Sequence, residues 1–233
     1  MKCVILQPSY IPWRGYFHQI YKADTFVFYD DVQYDKNGWR NRNLIKTSQG
    51  LQWLTIPVRA KGAVSHGLPI NKIPIAWDKP WNVHHWRGIQ LAYKKAPYFN
   101  DYVEFFKKTY STQLEWLSDF TIQTTIEISR LLGIQHTRFL KSSDIPGITG
   151  EKTDRLIQIL KSIGADHYIS GPAAKDYLEE EKFHYEGIKL EYMKYNYPEY
   201  PQLHPPFEGK VSIIDLLFNT GAEAIKFIIS GNE

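Results

Sequence analysis

One cysteine in 233 residues rules out an intrachain disulfide, and its place at position 3 fits a reducing cytoplasm. The N-terminal region holds one lysine and then a four-residue apolar run, Cys3 to Leu6, too short for a secretory signal. No stretch approaches membrane-spanning length. The formal net charge is only +3, so there is no bulk electrostatic case for nucleic acid. Neither the Walker A loop nor G-x-G-x-x-G occurs, which removes the two best-known phosphate loops. No Ser-His-Asp or Cys-His arrangement can be picked out from spacing, so no covalent nucleophile is expected. His84 and His85 are adjacent, point about 100° apart on a helix and have no partner four residues on, so zinc is set aside. There is no internal repeat and no low-complexity tail. A cytoplasmic protein for small molecules is what these absences leave.

Aromatic residues, by contrast, are abundant. Seven Trp and sixteen Tyr exceed what folding needs, and both types gather where a surface is half wet and half apolar, as in ligand clefts. A hydrophobic content of 43% supports a sizeable core, and the length suits one domain over 1–233 with a helical insertion over 81–132.

The chain is organised around its first stretch. Cys3 to Leu6 reads as a buried strand, broken by Pro8, Ser9 and Pro12. From Trp13 the pattern turns helical, with Phe17, Ile20 and Tyr21 on one face, and Thr25 to Tyr29 reads as a second strand. Strand, loop, helix, strand is the opening unit of a nucleotide-binding α/β sheet, in which anions bind at the carboxyl edge. The expected fold is therefore α/β, a parallel-centred sheet sandwiched by helices with the first strand central. Two readings of the loop stand. Pro8, Pro12, Trp13, Tyr16 and Phe17 shape and pack a connection, or Gln7, Tyr10 and Arg14, crowded around Gly15, serve a site.

Further on, Trp39-Arg40-Asn41-Arg42-Asn43 packs two guanidiniums and two amides beside an indole, chemistry suited to phosphate or carboxylate, or to a solvated hairpin rim. Asn37-Gly38 marks a turn, Arg42 to Lys46 and Leu51 to Val58 a hairpin. Asp30 and Asp31, at a strand end, read as a turn cap in preference to a Mg²⁺ site. Residues 60–80 read as an irregular, mobile excursion. Helices are expected over 81–95, 99–110 and 113–132, then a strand over 137–140. The Gly147 to Thr153 loop opens a helix running to Ile163, and suits either phosphate or a plain cap. Strands over 166–171 and 188–192 follow, with a short helix from Pro172, the irregular aromatic loop 195–202, and helices over 212–218 and 222–229. Ser170 and Gly171 share the carboxyl edge with Gln7 to Gly15 if those strands are parallel.

The motifs Gln-Pro-x-Tyr-x-Pro-Trp-x-Gly-Tyr-Phe (Gln7 to Phe17), Trp-Arg-Asn-Arg-Asn (Trp39 to Asn43), Lys-Thr-Asp-Arg-Leu-Ile (Lys152 to Ile157), Tyr-x-Ser-Gly (Tyr168 to Gly171) and Tyr-Pro-Gln-Leu (Tyr200 to Leu203) resemble the WbqC-like family over nearly the whole chain. That resemblance implies a setting, bacterial O-antigen and polysaccharide loci. A weaker resemblance, to pantothenate synthetases and other nucleotidylyltransferase-type proteins, rests on Trp13-Arg14-Gly15-Tyr16 at the place of His-x-Gly-His. It also rests on Asp166 to Gly171 followed by Lys175-Asp176-Tyr177. Both histidines are missing, so Arg14, Arg40 or Lys152 must take over the charge if nucleotidyl transfer occurs.

The expected function is an ATP- or nucleotide-dependent ligase or transferase that modifies an amino sugar for surface polysaccharide, for example by forming an amide. A glycosyltransferase working without ATP and a non-catalytic precursor-binding protein are the alternatives. Arg40, Lys152 and Gln7 are the expected catalytic residues. Binding is expected from Pro8, Tyr10, Trp13, Arg14, Gly15, Tyr16, Asn41, Arg42, Asn43, Thr153, Asp154, Ser170, Gly171, Lys175, Tyr177 and Gln202. ATP and Mg²⁺ are the candidate cofactors, with no fixed metal, and partners are nucleotides and sugar-type molecules, with oligomerisation left open.

Overall fold

The first strand is the middle of the sheet. In the computed structural model, which describes residues 1–60 and 67–230, β1 (Lys2–Leu6) pairs in parallel with β2 (Thr25–Phe28) on one side and β6 (His167–Ser170) on the other. Outside them lie β5 (Arg138–Lys141), parallel to β2, and β7 (Lys189–Tyr192), parallel to β6. The sheet order is β5-β2-β1-β6-β7. Apart from it, β3 (Arg42–Thr47) and β4 (Gly50–Thr55) form an antiparallel hairpin.

Alternation along the strands explains why both faces are covered. Val4, Phe26, Phe28 and Ile169 point into one hydrophobic cluster with α1 (Arg14–Lys22) and α7 (Ile213–Thr220). Ile89 and Tyr93 of α2 (Trp81–Tyr93), Phe106 of α3 (Phe99–Ser111) and Phe120 of α4 (Leu117–Leu131) complete that cluster. Cys3, Ile5, Val27 and Tyr168 point the other way, onto Leu156 and Leu160 of α5 (Lys152–Ser162) and Phe183 of α6 (Glu180–Tyr185). This is the helix-sheet-helix sandwich the pattern predicts. Leu6 is only half-buried, where full burial is expected of a central parallel strand, because it is the last residue before the chain leaves the sheet.

Several boundaries differ from expectation. The third helix begins at Leu117 because residues 115–117 run extended against 73–75: Ile75 N–H donates to Glu115 O and Leu117 N–H to Ile73 O, both at 2.9 Å. The last helix begins as a 3₁₀ turn over Gly221–Ile225, and only Lys226–Ile229, α8, is α-helical. The segment after β6 is likewise 3₁₀, Pro172–Asp176. The excursion expected over 60–80 falls in part on 61–66, outside the described residues; Ile70–Lys72 forms a 3₁₀ turn. No helix among the described residues is long and apolar enough to cross a membrane.

The order places one opening. From β1 the chain passes through α1 to β2 on one side, whereas from β6 it passes through α6 to β7 on the other. Neighbouring strands whose connections depart in opposite directions leave a crevice at their carboxyl ends, the usual ligand site of open parallel sheets. Here that switch point falls between Gln7, just past β1, and Ser170-Gly171, at the end of β6.

Candidate functional site

Most of the first loop turns out to be packing. Pro8, Ser9, Tyr10, Ile11 and Pro12 are all buried. Their backbone groups are taken up on every side: Tyr10 N–H donates to Trp39 O at 3.1 Å, the Asn43 amide donates to Tyr10 O and Ile11 O at 3.1 and 3.0 Å, and Ile213 N–H donates to Pro12 O at 2.9 Å. A buried irregular segment needs such partners, which is the work of Asn43 here. The Tyr10 hydroxyl lies 2.8 Å from His85 Nδ1 and 2.5 Å from the Tyr110 hydroxyl, deep between α2 and α3. Burial lowers the His85 pKa to about 4, so its ring is neutral.

Arg14 is held by the aromatic loop. Its guanidinium donates to Pro198 O at 2.7 Å and lies 4.7 Å from the Tyr197 ring and 5.4 Å from the Tyr200 ring. It ties the loop 195–200 to α1, and its Nε is buried without a hydrogen bond. Gly15 has a steric reason: a Cβ there would meet the Trp13 indole at 2.3 Å. That indole packs edge-on against Tyr195, centroids 5.0 Å apart. Tyr16 is buried, and its hydroxyl donates to Gln7 O at 3.1 Å. Asn41 closes the hairpin by donating to Ile56 O at 2.8 Å.

Arg40 is different. Its side chain is only 12% exposed, and its charge acts on Tyr16, Tyr34 and Asp35. Its Nε is buried without a hydrogen bond, and Asp35 Oδ1, the one carboxylate within 4 Å of it among the described residues, is 3.6 Å away and half exposed. Burial pulls its pKa down from the usual arginine value. A guanidinium desolvated this far and bonded this little is a poor structural element and a ready anion partner. The turn before it presents the residue inward: Asn37 has φ 70°, and a Cβ on Gly38 would strike the Asp35 carboxylate at 1.6 Å. The Arg40 charge acts on Tyr16, whose hydroxyl bonds Gln7 O just past β1. The Gln7 side chain is half-buried and bonds no described residue.

Across the crevice, the Ser170 hydroxyl lies 3.4 Å from that of Tyr168, and Gly171 faces Tyr195. Tyr177 is 66% exposed, and Lys175 Nζ lies 5.0 Å over the Tyr192 ring. From α5 it is Arg155, part of the Lys152 to Ile157 motif but not among the expected site residues, that reaches the carboxyl edge. It bonds Asp31 at 2.5 Å and lies 5.8 Å over Tyr29. Asp30 caps the turn after β5, accepting from Ser143 N–H at 3.1 Å, as expected of a cap. Lys152 is exposed, with φ 49° and no partner among the described residues. Thr153 and Asp154 turn to the α6 side, Thr153 accepting from Glu179 N–H at 3.2 Å and Asp154 pairing with Lys182 at 2.8 Å. Arg42 lies 4.5 Å over the exposed Trp53 ring.

Gln202 belongs to a network sequence reasoning missed. It donates to Asp215 at 2.7 Å and accepts from Lys46 Nζ at 2.9 Å, while Tyr93 and Tyr200 donate to the same carboxylate at 2.9 and 2.8 Å. Asp215 is 1% exposed and burial raises its pKa. A lone Asp in the apolar run Ile213-Ile214-Asp215-Leu216-Leu217 was the signal available. The network ties β3, α2, the aromatic loop and α7 together.

The profile of the WbqC-like protein family matches residues 7–227. An uncharacterized protein of Mycobacterium tuberculosis, Rv1507c, is 41% identical over 229 residues, covering 97% of this chain and 97% of its own. No solved structure matches significantly.

Proposed function

This chain belongs to the WbqC-like protein family, and on that premise we propose that it is a ligase or transferase acting on a phosphate-bearing, nucleotide-linked amino sugar for bacterial surface polysaccharide. The observation that carries the reading is Arg40, a guanidinium 12% exposed with a buried, unbonded Nε, whose charge acts on Tyr16, the residue that bonds Gln7 O just past β1. Arg40 holds the phosphate and Gln7 orients it. Ser170 and Gly171 border it from β6, and Tyr177 and Tyr192 offer ring faces for a base. ATP with Mg²⁺ is the expected co-substrate. Lys152, at the head of α5, is the further cation.

Thermal-shift screening against ATP-Mg²⁺, CTP, UDP-glucose and dTDP-glucose tests it. A ligand at a hundred times its Kd stabilises by about 2.7 kcal/mol, roughly five to ten degrees in a domain of this size. At least one nucleotide should give such a shift in the wild type and little in Arg40→Ala. A response to sugar nucleotides but not to ATP-Mg²⁺ would favour a glycosyltransferase. Equal shifts in both proteins would remove Arg40 from the site and the reading with it.

A further inference from the structure

The outer face of the β3–β4 hairpin carries an aromatic ledge that packing does not explain. Trp39 and Trp53 are 47% and 45% exposed, their rings 5.5 Å apart and tilted by 34°. The Arg42 guanidinium lies over Trp53, donates to Asn37 O and keeps a buried Nε without a hydrogen bond. Tryptophan is normally well buried, and two indoles held open side by side mark a contact surface. The ledge is preset, because Trp39 O is bonded to the first loop, and Asn41 and Ile56 hold the strands by two hydrogen bonds of 2.7 and 2.8 Å. The backbone that carries the two indoles therefore has little freedom left to lose on binding.

We infer that this ledge binds the apolar face of a saturated sugar ring, and so is the sugar subsite of the substrate proposed above, a reading on which it rests. Trp39 directly precedes Arg40 in the chain, so the ledge and the proposed phosphate contact belong to one segment. An exposed indole accepts the apolar C–H face of a sugar ring, and the polar groups around it take the ring's hydroxyls. The rim supplies polar partners for hydroxyls, the Arg42 edge and the exposed Thr55, paired with Arg42 on the Trp53 face of the hairpin. Two rings and a guanidinium cover far less than the ~800 Å² per partner of a stable protein interface.

Calorimetry and saturation-transfer NMR with triacetylchitotriose, cellotriose and mannotriose test the ledge without any nucleotide. Wild type should bind at least one of the three. Trp39→Ala and Trp53→Ala should weaken it tenfold or more, Trp53→Phe much less, and Lys107→Ala, exposed on α3, not at all. Equal affinity in wild type and Trp53→Ala, or no binding of any of the three, would overturn the inference. So would self-association in sedimentation that Trp53→Ala abolishes. Loss of nucleotide binding alone, with trisaccharide binding still dependent on Trp53, would sink the nucleotide reading and leave the ledge standing.

Discussion

The three arginines of the two signature segments have three different fates, and burial with bonding decides among them. All three keep a buried Nε without a hydrogen bond, but Arg14 is covered by rings and donates to a carbonyl, Arg42 lies on an exposed indole and donates to Asn37 O, and Arg40 has only the Asp35 carboxylate 3.6 Å away. The sequence shows that guanidiniums are crowded here. It does not show which one is short of partners, since Pro198, Trp53 and Asp35 come from scattered positions. Gly15 makes the same point, because the glycine stands where a phosphate loop would want one, yet it serves the Trp13 indole 2.3 Å from where a Cβ would sit. Alanine in a helix is ordinarily better than glycine by about 1 kcal/mol. Overpacking typically costs about 1–3 kcal/mol and should win. Gly15→Ala should therefore lower the urea midpoint, and a midpoint at or above wild type would show that Trp13 moves aside freely.

At the scale of elements, the strands were the legible part, because buried apolar runs bounded by Pro, Gly and Asp leave little choice. Helix ends were less so: residues 115–117 pair with 73–75, a contact that no local pattern encodes. The first loop reads as a site by composition and behaves as a fastener by structure. Tyr10→Phe should show which it is. Removing the hydroxyl leaves His85 Nδ1 without its partner and separates Tyr110, so stability should fall by about 1–3 kcal/mol in chemical denaturation. Ligand affinity should not change in the folded variant. Tyr177→Phe, on an exposed ring, should leave stability within about 0.5 kcal/mol. A Tyr10→Phe protein of full stability but lost binding would return the loop to the site.

For the molecule as a whole, parallel pairing around a central first strand follows from the pattern, but the placing of β5 beside β2 and β6 beside β1 is long-range and unwritten in any window. That order creates the switch point, so the crevice became visible only with the fold. The whole molecule should also be acid-sensitive above the carboxylate range. Burial lowers both His18 and His85 from 6.5 to about 4. Between those values the unfolded chain binds more protons than the folded one, so stability is complete above about 6.5 and falls as pH drops toward about 4. Each histidine contributes at most ~1.4 kcal/mol per pH unit. Urea midpoints should fall from pH 7 to pH 5, less steeply in His18→Gln and His85→Gln. A flat wild-type profile over that range would mean that these rings protonate as freely folded as unfolded.

The central claim is that Arg40 is held short of partners in order to grip a phosphate. Isothermal titration of the responding nucleotide into wild type, Arg40→Ala and Arg40→Lys addresses it directly. Charge-assisted bonds from a guanidinium fork contribute roughly 1.5–3 kcal/mol, so Arg40→Ala should weaken binding by about ten- to a hundredfold. Arg40→Lys should weaken it nearly as much, since an ammonium cannot reproduce the fork. Wild-type affinity in a folded Arg40→Lys protein would contradict the claim.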